Sequence, residues 1–175
     1  MPYKFIESLR IDRMNNSFRK GALLFEAGDQ NQSIIYLKSG SAELVKIRLD
    51  GYRQVIERYE EGDFIAPHTL YSDIHSFRCE ACTNVDTVQY TRTAFKDALK
   101  REANTFYWLE LLHNHLHRSL MRVELLGYTS VSEKLDAWIK LYKRTPEKGE
   151  YSTVAGQLSI SREALYRELS KRRVG

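Results

Sequence analysis

Ile34-Ile35-Tyr36-Leu37-Lys38-Ser39-Gly40-Ser41-Ala42-Glu43-Leu44-Val45-Lys46-Ile47-Arg48-Leu49-Asp50-Gly51 decides how the first half of the chain folds. It opens on four consecutive apolar residues and passes a glycine. Ala42, Leu44, Ile47 and Leu49 then alternate with polar side chains, with one slip near Val45. A period of two is the mark of a strand with one covered face. Asp50-Gly51 lies between two such runs and predicts a hairpin, because glycine tolerates the positive φ of a tight turn. Outward from this stretch, Gly21, Gly28, Gly40, Gly51 and Gly62 recur at spacings of seven to twelve residues, the turn rhythm of an all-β sandwich or barrel. Leu23-Leu24-Phe25 and Val55-Ile56 add further β-rich runs, and Val85, Val88, Tyr90 and Phe95 close the region. Residues 18 to about 95 are therefore expected to form strands.

From Phe95 the period changes. Leu109, Leu112, Leu116, Leu120, Val123 and Leu126 step by three and four, and no Pro or Gly interrupts residues 95–126, which predicts one long amphipathic helix. So narrow a seam either meets its own copy in a homodimer, through Leu109, Leu112, Leu116, Leu120 and Val123, or packs on its own barrel. Gly127-Tyr-Thr-Ser-Val-Ser132 ends that helix, and Ser132 is the expected cap of the next, which carries Leu135, Trp138, Ile139 and Tyr142 on one face. Thr145-Pro-Glu-Lys-Gly149 reads as a linker. Two short helices follow. Ser152 is the expected cap of the first, with Val154, Ala155 and Leu158 as its buried side; Ser159-Ile160 makes a corner; Ser161 caps the second. Leu165 and Leu169 then face inward, while Glu163, Tyr166, Arg167 and Ser170 face outward with Arg162 beside them. An apolar cluster, a corner and a helix with a charged outer face predict a helix-turn-helix. The fold class is α+β, divided into a β-barrel over 1–104, a dimerisation helix over 105–127 and a helix-turn-helix domain over 128–175.

Composition excludes several classes. With 175 residues, 42% hydrophobic and 29% charged, the chain is an ordinary globular protein. No apolar run is long enough to span a membrane. Met1-Pro-Tyr-Lys-Phe-Ile-Glu-Ser8 lacks the apolar core of a signal peptide, and two cysteines make no disulfide framework, so a cytoplasmic protein is expected. The net charge of +4 is unevenly placed: residues 140–175 hold nine Lys/Arg and four Asp/Glu, whereas the preceding residues hold eighteen and nineteen. A basic end on a neutral body suits a phosphate-bearing partner, and equally a solubilising tail. No Ser/His/Asp set, phosphate loop or paired-carboxylate motif is present, so no enzyme is expected.

Four pieces in order resemble the Crp/Fnr family of bacterial transcription regulators, and together they reach across nearly the whole chain. Lys20-Gly-Ala-Leu-Leu-Phe-Glu-Ala-Gly28-Asp29 is similar to the family's opening turn and strand. Ile35-Tyr-Leu-Lys-Ser-Gly40, Asp50-Gly51 and Glu61-Gly62-Asp63-Phe64-Ile65 resemble its glycine-marked barrel of cyclic-nucleotide-binding type. Val131-Ser-Glu-Lys-Leu135-Asp-Ala-Trp-Ile139 resembles the helix after the dimerisation helix. Ser161-Arg-Glu-Ala-Leu-Tyr-Arg167 resembles the recognition helix.

The resemblance implies a homodimer that reads an inverted repeat in double-stranded DNA, with Ser161, Arg162, Glu163, Tyr166, Arg167 and Lys171 as DNA-binding residues and RNA polymerase as a further partner. Arg162 and Arg167 can each bond the O6 and N7 edge of guanine, and Glu163 can accept from a cytosine amine. Glu163 and Arg167 are also spaced as a surface ion pair, which would hold the guanidinium before DNA arrives. Lys171, Arg172 and Arg173 read as phosphate contacts or solvated charge. Tyr166 stands where the family commonly has Gly or Ser, so the preferred DNA sequence is expected to depart from that of its relatives.

The effector pocket departs further. In cyclic-AMP-binding members, Gly-Glu-Leu supplies an acid for the ribose and a later Arg-Ser pair takes the cyclic phosphate. Here Ala66-Pro67-His68 replaces the first and His75-Ser76 the second. Pro accepts no ribose proton and a neutral His replaces a guanidinium poorly, so no ordinary response to cyclic AMP is expected and the effector stays unknown. Pro67 suits the first turn of a short helix. No cysteine precedes Cys79, which excludes the family's N-terminal iron–sulfur cluster. Cys79-Glu-Ala-Cys82 has metal or redox spacing, yet residues three apart on a strand point to opposite faces, so two buried, inert thiols are the competing reading. His113 and His117 read as a shared metal site or as plain surface histidines. Nothing here fixes a haem axial ligand, and neither cofactor nor metal is expected. The family's small β wing would follow Val174-Gly175 and is expected to be missing, which implies a truncated helix-turn-helix domain with weaker phosphate contact and a flatter salt dependence. The reading from another class is a ligand, metal or redox sensor acting by protein contacts, its helix-turn-helix a relic.

Overall fold

The computed structural model describes residues 2–51 and 53–174. The side chain of Arg173 and residue Gly175, both part of the expectations above, lie outside the described residues. The chain forms two compact units, Met1–Asn114 and His115–Gly175.

The first unit is an eight-stranded antiparallel sandwich with helices. After a short helix α1 (Pro2–Ser8), strands β1 (Met14–Phe18), β2 (Leu23–Phe25), β3 (Ser33–Ser39), β4 (Ser41–Ile47), β5 (Arg53–Glu60), β6 (Phe64–Ile65), β7 (Arg78–Ala81) and β8 (Val85–Thr91) form two sheets, ordered β1-β8-β3-β6 and β2-β7-β4-β5. The unbroken apolar run of β3 is explained by burial on both faces. Ile35 and Leu37 enter the sandwich interior with Phe25, Ala42, Leu44, Tyr59 and Cys79. Ile34 and Tyr36 point the other way, into a second core with Phe5, Leu9, Val88, Tyr90, Phe95 and Trp108. The slip near Val45 is a β-bulge: Leu44 pairs with Glu57, but Val45 pairs with Val55. Gly51 closes the β4–β5 hairpin at φ 78°. Gly40 passes the chain from one sheet to the other at φ 83°, where a Cβ would lie 2.3 Å from the Asn84 carbonyl oxygen, so no other residue fits.

Strand structure starts at Met14, earlier than residue 18, and Phe95 belongs to a helix. The helix expected over 95–126 is two helices, α2 (Arg92–Leu99) and α3 (Glu102–Gly127), parted at Lys100-Arg101. The break needs no Gly or Pro because side chains from α3 take carbonyls at the end of α2: Asn104 Nδ2 donates to Ala98 O at 2.8 Å, and the Thr105 hydroxyl donates to Leu99 O. Ser8 Oγ donates to Asn104 Oδ1 at 2.9 Å, which ties α1 to the same junction.

The second unit holds the rest of α3, then α4 (Val131–Tyr142), α5 (Tyr151–Leu158) and α6 (Arg162–Val174). Ser130, not Ser132, caps α4: Ser130 Oγ accepts from the Glu133 N–H at 3.2 Å, and the Glu133 carboxylate reaches back to the Ser130 N–H, a capping box set by the Ser-x-x-Glu spacing. Ser152 does not cap α5, which starts one residue earlier after a 3-10 turn over Lys148–Glu150 and has no side-chain cap. One core gathers Leu125, Leu135, Trp138, Tyr151, Val154, Ala155, Leu158, Leu165 and Leu169. Within it, Trp138 Nε1 donates to Gln157 Oε1 at 2.8 Å, which satisfies both buried polar groups.

Candidate nucleic-acid interface and altered effector pocket

The corner between α5 and α6 is built from the backbone. Ser159 takes a left-handed conformation, φ 51°, and the N–H groups of Ser159 and Ile160 return to the carbonyls of Gly156 and Ala155 at 3.2 and 3.0 Å. Lys134 Nζ donates to Leu158 O at 3.2 Å, placing a cation at the end of α5. Ser161 caps α6 as expected, its Oγ accepting from the Ala164 N–H at 3.1 Å.

With Leu165 and Leu169 buried four residues apart, the opposite side of α6 must face solvent. Ser161, Arg162, Glu163, Tyr166, Arg167 and Lys171 are all exposed. The expected Glu163–Arg167 ion pair is not among the ion pairs of the described residues. Hydrogen bonds from its own backbone N–H and then from the Ser161 hydroxyl hold the Glu163 carboxyl below the usual carboxylate range. The Arg167 guanidinium is exposed and has no ion-pair partner among the described residues.

Arg172 is exposed, and its guanidinium is engaged on the protein itself. Its Nη1 meets Asp136 Oδ1 at 2.6 Å, its Nε meets Glu168 Oε1 at 3.0 Å, and its Nη2 donates to Ser132 O at 3.0 Å. With Ser132 Oγ at 2.9 Å, three of its bonds tie α6 to α4, and the one to Glu168 stays within α6. The sequence signal was only a basic residue four after Glu168; the partners thirty-six and forty residues away leave no local trace.

The altered pocket is brought together as one segment. Ala66 is buried in a left-handed conformation, φ 47°, and Pro67 takes the first position of a 3-10 turn over Pro67–Tyr71. His68 and Ser76 are exposed. His75 is 7% exposed and its ring lies parallel to Phe25 with centroids 3.7 Å apart. Burial holds its imidazole below the usual histidine range, and its Nδ1 is buried without a hydrogen-bond partner. A neutral stacked ring in this position supplies no fixed positive charge for a phosphate, and residues 66–68 supply no acid for a ribose.

Cys79 and Cys82 point to different places. Cys79 is fully buried in the sandwich interior, and burial pushes its thiol far up. Cys82 is half-buried near Glu43, with its thiol pushed up to about 11, chiefly by burial and then by that carboxylate. Neither is poised as a thiolate. On α3, Leu109, Leu116, Leu120 and Val123 are 55%, 57%, 58% and 66% exposed, whereas Leu112 is half-buried against the first unit's core. His113 and His117 are exposed. Among the described residues no helix is long and apolar enough to cross a membrane.

Residues 15–102, half of the chain, match the family model of the cyclic nucleotide-binding domain. The chain belongs to that family. No curated protein matches it in sequence. Among solved structures, this cyclic nucleotide-binding-domain protein is similar to the c-di-GMP responsive global regulator CLP of Xanthomonas campestris, with TM-score 0.73 and 16% identity over 98% of this chain and 92% of that one. It is similar to FixK2 of Bradyrhizobium japonicum, with TM-score 0.76 and 16% identity over 94% and 86%. A CRP-family transcriptional regulator of Thermus thermophilus gives TM-score 0.70 and 14% identity over 90% and 84%. At these identities the likeness is one of fold, and it extends beyond the sandwich to the helices that follow.

Proposed function

We propose that this protein is a homodimeric, sequence-specific DNA-binding transcription regulator of Crp/Fnr type that does not respond to cyclic AMP in the ordinary way. The observation that carries the reading is the outer face of α6, where Arg162, Glu163, Tyr166 and Arg167 project together while Leu165 and Leu169 anchor the helix from behind. The α5–corner–α6 unit acts as a helix-turn-helix. Arg162 and Arg167 bond guanine edges in the major groove, ionised Glu163 accepts from cytosine, and Lys171 meets phosphate. The exposed leucine stripe of α3 joins two copies, which places two recognition helices about 34 Å apart on an inverted repeat. CLP, FixK2 and the Thermus protein, regulators of the same fold, support this assignment.

Selection from a random duplex library with the full-length protein tests it. Enrichment of a palindrome with G and C at the recognition positions is the expected result. Salt-sensitive retention of all duplexes without enrichment overturns it and favours a sensor that acts through protein contacts.

A further inference from the structure

Residues 66–76 lie where the resemblance places the nucleotide-binding groups, yet the backbone at Ala66, Thr69, Ser72, Asp73 and His75 is bonded to the protein itself. Asn31, 2% exposed, donates from Nδ2 to Thr69 O at 2.6 Å and to Ser72 O at 3.2 Å, and its N–H donates to Asp73 O at 2.8 Å. From the other side Arg92, the first residue of α2, donates to the same Ser72 carbonyl and meets Asp73 Oδ1 at 2.8 Å. Inside the segment, Thr69 Oγ1 donates to Ala66 O at 2.8 Å, across the left-handed residue. At its far end, the His75 N–H donates to Asp29 O at 3.0 Å and His75 O accepts from the Gly28 N–H at 2.8 Å. Gln30 and Ile74 add an antiparallel bridge between these anchors.

We propose that Asn31 and Arg92 form a built-in latch that takes the place of a ligand, holding the 66–76 segment closed onto the start of β3 and of α2. A ligand shifts a conformational equilibrium only by binding one state better than the other. A segment already closed by protein groups gives a nucleotide no such difference to work on. Arg92 joins the segment directly to α2, and Asn104 joins the end of α2 to α3. The sensor unit therefore presents α3 with one fixed state. The consequence for DNA binding, that no effector is required, rests on the regulator reading above; the latch itself does not.

Hydrogen–deuterium exchange on the full-length, nucleotide-free protein tests the latch. Amides of 69–75 are expected to be protected without nucleotide and unchanged by millimolar cyclic AMP. In Arg92→Gln, which removes the bonds to Ser72 O and Asp73 Oδ1, and in Asn31→Ala, which removes those to Thr69 O and Ser72 O, they should exchange at least about tenfold faster, with the β3–β8 core unaltered. Should the buried Asn31→Ala fail to fold, Arg92→Gln, at a partly exposed site, carries the test alone. A wild-type segment that is protected only with cyclic AMP overturns the latch. So does wild-type exchange in Arg92→Gln, or acceleration spread evenly over the whole barrel. If the wild-type protein enriches no duplex in the library selection, the regulator reading falls while the exchange result still decides the latch.

Discussion

The 66–76 segment and the outer face of α6 are both polar stretches at sites where the family resemblance expects a partner, and they use their polar groups in opposite ways. In the segment, backbone carbonyls at Thr69, Ser72 and Asp73 are taken by Asn31 and Arg92, and the one histidine in the phosphate position is stacked and buried. On α6 Leu165 and Leu169 enter the core, and Arg162, Glu163, Arg167 and Lys171 project into solvent. A polar group satisfied internally gains little from a ligand, whereas an exposed guanidinium keeps its donors for an acceptor outside. The first stretch is closed on the protein itself and the second is open to solvent.

The largest effect that would break this contrast is on assembly. Leu116→Glu combined with Leu120→Glu places two charges on the exposed stripe of α3, and the protein should sediment as a monomer. Its affinity for a full inverted repeat should fall by about a hundredfold or more, because two linked half-sites become one. Retention of the dimer would remove the stripe from the interface.

Arg167→Ala comes next. It should lower binding to the selected duplex by about 1–3 kcal/mol and relax base preference at one position of each half-site, read by repeating the library selection. An unchanged ratio between selected and scrambled duplexes would show that Arg167 does not read a base.

Arg172→Ala sharpens the comparison from the same helix. Its bonds run to Asp136, Glu168 and Ser132, so thermal stability of the second unit should fall by about 1 kcal/mol while base preference is preserved. A selective loss of one base would return Arg172 to the DNA-contacting set.

The smallest effect concerns pH. Burial lowers the His75 pKa in the folded state, so the unfolded chain takes up the proton more readily. This residue's contribution to stability is full above about 6.5 and is lost as pH falls below that value. His75→Phe keeps a ring against Phe25 and should flatten the fall in melting temperature between neutral and mildly acidic pH. Equal slopes in both proteins would assign the acid sensitivity to other groups.

Much of the fold was legible because its causes are local. The bulge at Val45 shows as a slip in alternation, the Asp50-Gly51 hairpin as a glycine between strands, and the α5–α6 corner as Ser159-Ile160 between apolar pairs. The exposed face of α6 followed from the spacing of Leu165 and Leu169. What stayed hidden depends on contacts distant in sequence or on side chains that compete with the backbone. Asn104 and Thr105 break the helix at Lys100-Arg101 by taking carbonyls, and no residue there is a helix breaker by type. Helix α1 is too short for a period to emerge, although Phe5 and Leu9 lie at helical spacing and are buried. The pocket's loss of an acid and an arginine could be read from Ala66-Pro67-His68 and His75-Ser76. Its substitutes, Asn31 and Arg92, stand outside that segment and have no motif.

If α6 reads DNA while residues 66–76 stay latched, binding needs no nucleotide. A fluorescence-anisotropy titration of nucleotide-free, full-length protein onto the selected duplex, with and without cyclic AMP, decides this. The same tight, sequence-selective binding is expected in both titrations. Binding that appears only when the nucleotide is added would contradict it.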